Sequence, residues 1–114
     1  MVKKQHIETI AVHGAHNISS SESDIMQPIH LSTTFERKPD GKLNDYVYTR
    51  SSNPNRLTVE NKIAALEEAT TAIAFASGLA AVNALFENIL EPGSHIIIPY
   101  DCYHATRYLI NKFF

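Results

Sequence analysis

An α/β fold built on a parallel sheet is expected from the order of patterns between residues 53 and 114. Two short runs, Ala72-Ile73-Ala74-Phe75-Ala76 and His95-Ile96-Ile97-Ile98-Pro99, are apolar at successive positions. Such runs suit strands that are buried on both faces. Each is followed by a helical pattern, and a further helix precedes the first, so strand and helix alternate as in layered α/β folds.

Taken in order, residues 1–45 carry little sustained periodicity. Ile7 to Val12 suits a short helix, and residues 17–24, with the cluster Ser19-Ser20-Ser21-Glu22-Ser23, suit a polar loop. Pro28 to Phe35 reads as extended and half apolar, and Lys38-Pro39-Asp40-Gly41-Lys42 is a turn signal. The first third therefore reads as an arm or a set of loops with no core of its own. Asn53-Pro54 opens a helix, because Asn caps and Pro is tolerated in the first turn. Val59, Ile63 and Leu66 follow on one face of that helix, which is expected to end near Ala69. After the run 72–76, Leu79 to Leu90 suits an amphipathic helix. Glu91-Pro92-Gly93-Ser94 breaks the chain, and after the run 95–99 a last helix is expected from Thr106 to Phe114. Two such strands cannot bury themselves, and the sequence runs to Lys112-Phe113-Phe114 without a capping signal. The expectation is the N-terminal piece of a larger α/β protein, an arm over 1–52 and the beginning of an α/β domain over 53–114. The alternative is a small complete domain that hides these surfaces by oligomerising.

The 114 residues are 44 % hydrophobic and 19 % charged, with a net charge of −2, which places the chain among globular proteins and not disordered ones. No basic block is present, so nucleic-acid binding and attraction to anionic membranes are disfavoured. The N-terminal stretch has no apolar core of the kind a secretory signal needs, and no stretch approaches membrane-spanning length. The single cysteine, Cys102, has no internal disulfide partner. A cytoplasmic setting is the simplest expectation.

Three segments could carry chemistry. Phe75-Ala76-Ser77-Gly78-Leu79 joins the first apolar run to a helix. A glycine there lets backbone approach a ligand, with φ > 0 one possible reason for it, and a helix start offers free N–H groups to a phosphate. A tight turn without a ligand is the competing reading. In Tyr48-Thr49-Arg50, residues two apart on an extended segment share a side, so a phenol and a guanidinium could clamp a phosphate. An ordinary surface Arg beside a half-buried Tyr is the alternative. Pro99 to Thr106 follows the second run, where ligands bind in open α/β sheets, and its tyrosines could stack on a planar heterocycle. A loop with a helix-capping Asp or Thr is the alternative there. His13-Gly14-Ala15-His16 has helical metal-ligand spacing but no acid or thiol placed to complete a site, so no metal is expected. Cys102 and His104, two apart in a loop, point to opposite sides and make a poor nucleophile pair.

Together these stretches resemble the pyridoxal-phosphate-dependent cystathionine synthase/lyase family of sulfur amino-acid metabolism. The resemblance is carried by Pro28 to Phe35, Tyr48-Thr49-Arg50-Ser51-Ser52-Asn53-Pro54, Phe75 to Ala81, Leu90 to His95, and Pro99-Tyr100-Asp101-Cys102-Tyr103. It implies an aspartate-aminotransferase-type (fold type I) domain, in which later strands lie between the two seen here. It also implies γ-replacement or elimination on homoserine esters or cystathionine, with Asp101-Cys102-Tyr103 resembling the γ-synthase branch. Gly78 and Leu79 would give backbone N–H groups to the phosphate of pyridoxal 5′-phosphate, with Ser77 shaping the turn. Tyr103 would stack on its ring. Tyr48 and Arg50 would reach the phosphate held by a neighbouring subunit, so that the site is shared across the interface of a homo-oligomer and the first third packs on the neighbour. The sequence departs from the family at His104 and Ala105, where small residues, often two glycines, are usual. The Schiff-base lysine and the acid that pairs with the pyridine nitrogen belong to family motifs that this sequence lacks, so no catalytic base is expected here. The six lysines, at 3, 4, 38, 42, 62 and 112, fall elsewhere. The competing expectation is an inactive truncated remnant or an oligomerisation partner.

Overall fold

A computed structural model describes residues 5–14 and 26–114. It holds four helices: α1 (Ile7–His13), α2 (Pro54–Leu66), α3 (Gly78–Ile89) and α4 (His104–Phe113). The chain divides into two compact units, Met1–Ile73 and Ala74–Phe114.

In the first unit α1 packs against α2, and Lys62 Nζ donates to the Val12 carbonyl at 3.2 Å. Asn53 caps α2 as expected: its Oδ1 accepts the Asn55 N–H at 2.8 Å while Pro54 occupies the first helical position. The helix stops at Leu66, short of Ala69, because Glu67 leaves helical geometry and Glu68 turns left-handed with φ 52°. Ahead of α2 the chain doubles back on itself. Thr34 and Tyr48 form an antiparallel bridge, flanked by Phe35 N–H to Val47 carbonyl at 3.0 Å and Thr49 N–H to Thr33 carbonyl at 2.8 Å. The return is made at the expected turn, where Gly41, at φ 79°, donates to the Lys38 carbonyl at 2.8 Å. The rings of Phe35 and Tyr46 sit 5.5 Å apart on this hairpin. A side chain fastens it to α2: Asn55 Nδ2 donates to the His30 carbonyl at 2.8 Å, and Asn55 Oδ1 accepts the His30 N–H at 2.9 Å. Pro54 and Ala64, both on α2, are the buried residues of this unit among those described.

In the second unit α3 and α4 pack together around Phe86, which is 7 % exposed and meets Phe114 edge to face at 5.9 Å. The break between α3 and the second apolar run is a turn at Glu91–Ser94, with Gly93 at φ 90°. The α4 helix begins at His104, two residues before the expected Thr106.

The two expected strands do not form. Among the described residues the single β-type pairing is the Thr34–Tyr48 bridge, and neither 72–76 nor 95–99 enters a ladder. A strand exists only with a partner, and an apolar run supplies the propensity without the partner. The two runs instead lie open: Ile73 is 71 % exposed and Ile97 is 98 % exposed. The polar loop at 17–24, with its serine cluster, and the residues Ala15 and His16 of the histidine pair lie outside the described residues.

Candidate functional site

The first turn of α3 is shaped by Ser77. Its backbone is extended (φ −154°, ψ 157°), its carbonyl accepts the Ala81 N–H at 3.1 Å, and its Oγ accepts the Ala80 N–H at 3.2 Å. Those two bonds satisfy the third and fourth amides of the helix. The Gly78 and Leu79 N–H groups, at the first two positions, have no acceptor within the helix. No acidic residue lies in this turn, so the positive end of the helix dipole is not offset by a carboxylate. Gly78 is exposed, and an added Cβ would meet no atom within 4 Å. The expectation of φ > 0 at Gly78 is not met: the residue is helical, and positive φ among the described glycines is confined to Gly41 and Gly93. The chain's own backbone and packing therefore do not demand a glycine at this position. The paired amides, the uncompensated dipole and the open space above Gly78 are a donor set that fits a phosphate group.

Tyr48 and Arg50 come together, but not through an extended segment. Ser51 and Ser52 both donate their N–H groups to the Tyr48 carbonyl at 3.0 Å, so residues 48–51 form a turn. The turn folds Arg50 back, and its guanidinium carbon lies 5.0 Å from the centre of the Tyr48 ring. The ring–guanidinium pair is held on both sides. Tyr48 is tied to Thr34 by the bridge, and Asn53 Nδ2 donates to Thr49 Oγ1 at 2.6 Å. Arg56 donates to the Ser51 carbonyl at 2.6 Å, closing the turn from α2.

Tyr103 stands at the start of α4 with φ −48° and ψ 124°, and its side chain makes no capping bond. The alternative reading of this loop, a helix-capping Asp or Thr, finds no capping side chain at the start of α4: the first turn is closed by the Thr106 N–H on the Tyr103 carbonyl at 3.0 Å. The Tyr103 ring is 65 % exposed and meets the His104 ring at 4.9 Å with 65° between planes. Tyr100 is engaged differently, with Arg107 5.4 Å from its ring centre and donating to its carbonyl at 2.8 Å. Ser77, Gly78, Leu79 and Tyr103 thus share the second unit, and Tyr48 and Arg50 belong to the first. No group of three or more metal-ligating side chains occurs among the described residues. No helix there is long and apolar enough to cross a membrane. Asn55 was not singled out in the sequence. The signal available for it was a second amide inside the first turn of α2, where a helix gains nothing from Asn.

A helix start whose first two amides have no acceptor within the helix, preceded by an apolar run and with an aromatic ring beyond a second such run, suits a phosphate-bearing cofactor. Residues 8–114 match the family described as Cys/Met metabolism PLP-dependent enzyme, and the chain belongs to that family. Cystathionine β-lyase from Coxiella burnetii is 37 % identical over 110 residues, which are 96 % of this chain and 28 % of that protein. Cystathionine γ-synthase from Mycobacterium tuberculosis is 37 % identical over 107 residues, 93 % of this chain and 28 % of its own length. Among solved structures, that of metB from Corynebacterium glutamicum superposes with a TM-score of 0.84 at 38 % identity, covering 95 % of this chain and 28 % of that one. The chain thus spans little more than a quarter of the length of these relatives. Pyridoxal phosphate is the cofactor of the full-length enzymes of this family.

Proposed function

We propose that this chain is the N-terminal part of a pyridoxal-phosphate-dependent transsulfuration enzyme, acting by γ-replacement or elimination on homoserine esters or cystathionine. Within it, residues 1–52 form an arm on a partner subunit and residues 53–114 begin the cofactor-binding domain. The reading also takes the whole protein to be a cytoplasmic homo-oligomer.

The first turn of α3 carries the proposal. Gly78 and Leu79 would hold the cofactor phosphate through their N–H groups, and Ser77 would keep those amides aimed by occupying the Ala80 N–H itself. Tyr103 would lie against the pyridine ring, its exposed face being free to stack. Tyr48 and Arg50 would bring a hydroxyl and a permanent cation to the phosphate bound by the partner subunit, pre-assembled by their own ring–guanidinium contact. When bound, pyridoxal phosphate supplies the electron sink for breaking bonds at the amino-acid substrate. The residues of this chain bind and orient; none of them is assigned proton transfer.

Gly78→Ala tests the phosphate role because its two consequences have opposite signs. The glycine is helical and unobstructed, so alanine should leave the apo protein unchanged or stabilise it by about 0.4–1 kcal/mol. A methyl group over the paired amides should nevertheless weaken cofactor binding. Apo melting and cofactor dissociation are measured side by side. If Gly78→Ala binds pyridoxal phosphate as tightly as the parent, the phosphate does not sit there.

A further inference from the structure

The imidazole of His104, the first residue of α4, lies against the ring of Tyr103, the tyrosine that the proposed function sets on the cofactor. The ring centres are 4.9 Å apart and the planes meet at 65°, the edge-to-face arrangement that aromatic pairs favour. Tyr103 has no other ring partner among the described residues and its side chain makes no capping bond. Its neighbour in the loop, Tyr100, is braced independently by Arg107. An exposed tyrosine with two free torsions would sample several orientations. His104 starts α4, so its backbone is fixed by the helix, and among the described residues its ring is the aromatic ring that meets Tyr103.

We propose that His104 is a positioning residue, which holds the Tyr103 ring in the orientation that stacks on the cofactor. A glycine at this place would leave that task to the rest of the pocket. The inference rests on the reading of Tyr103 as the stacking residue, and it is specific to chains with a ring at position 104.

The test uses the holoenzyme that carries this chain and reads the visible circular dichroism of bound pyridoxal phosphate, which reports ring orientation, together with cofactor dissociation. Tyr103→Ala, His104→Ala and His104→Phe are compared with the parent. His104→Ala is expected to diminish the dichroic band and weaken cofactor binding roughly two- to tenfold, the range an aromatic pair commands. His104→Phe, which keeps a ring against Tyr103, is expected to restore both. Tyr103→Ala is expected to lose the band at least as fully as His104→Ala. An unchanged band and affinity in His104→Ala, with both altered in Tyr103→Ala, would overturn the positioning role and leave the stacking reading standing. An unchanged Tyr103→Ala would overturn the stacking reading itself, and the inference with it. A His104→Phe variant as impaired as His104→Ala would also overturn the role, since the effect would not come from a ring contact. Apo melting is recorded for each variant. If His104→Ala does not fold, His104→Leu, which keeps bulk without a ring, takes its place with the same expectation.

Discussion

Asn55 offers the sharpest test of how the first unit is held together. Its side chain imitates a strand, donating to the His30 carbonyl at 2.8 Å and accepting the His30 N–H at 2.9 Å, 25 residues away. Asn55→Ala removes both bonds. Each contributes about 0.5–1.5 kcal/mol net, and the half-buried site lets water recover part of the loss. Alanine in place of Asn within α2 returns about 0.5 kcal/mol of helix propensity. The balance is a loss of about 1–2 kcal/mol, confined to the closure of the hairpin on α2. Amide hydrogen exchange at His30 reads that closure directly, and should quicken by roughly five- to thirtyfold. Asn55→Asp keeps the acceptor for the His30 N–H but sets a carboxylate against the His30 carbonyl. Protection in Asn55→Asp should therefore fall between that of the parent and that of the alanine variant. An unchanged His30 exchange rate in Asn55→Ala would refute the reasoning, since the clamp would then carry no free energy.

Ser77→Ala leaves the Ala80 N–H without its cap and should cost about 1 kcal/mol, seen as faster exchange in the first turn of α3 with the rest of the helix unaffected. Asp40 accepts from the Lys42 ammonium at 2.9 Å and from the Lys42 N–H at 3.1 Å, and these bonds hold its carboxyl below the ordinary aspartate value. A lowered pKa means that the ordering of the 38–42 turn is fully present above the ordinary aspartate range and is lost as pH falls through the lowered value. A Lys42 amide resonance followed by NMR should report that loss in the parent, and Asp40→Asn should abolish the pH dependence. Subunit mixing tests the placement of Tyr48 and Arg50: an Arg50→Ala subunit paired with one lacking the anchoring lysine should recover one working site, and hybrids as inactive as both parents would exclude a role in trans.

Helix starts were legible because their signals are local. Asn53-Pro54 carries cap and first turn in adjacent residues, and α2 begins where that pair places it, while α3 begins at Gly78, one residue before the expected Leu79, and α4 at His104, two before the expected Thr106. The end of α2 was less so. Nothing in Glu67-Glu68 announces a left-handed residue, and the periodic pattern runs on to Ala69. The runs 72–76 and 95–99 show the limit of pattern reading, since apolar composition reports that a segment wants burial and is silent on what pairs with it. Among the site residues, Ser77 entered through the family resemblance, as the residue that shapes the turn, and its capping bond to the Ala80 N–H is what the structure adds. The partnership of Tyr48 with Arg50 was anticipated for the wrong geometry, as a turn and not an extended segment brings them together. The contacts that span distance, Asn55 with His30 above all, leave no periodic trace: a second amide in the first turn of α2 marks Asn55 as unusual but does not name a partner 25 residues away.

The open runs also bear on how this polypeptide behaves in solution. Thr70 to Ala76 contains no charge and no proline, and it is rich in β-branched and aromatic side chains. Such a segment, apolar, uncharged and outside any ladder, is a template on which identical segments from other molecules can stack. His95 to Ile98 repeats the hazard within a few turns of chain. Expression yield and self-association of this polypeptide should therefore respond to the solvent-facing apolar residues of these two tapes far more than to its net charge. A single lysine in place of Ile97 is the gatekeeper that physical reasoning would choose first.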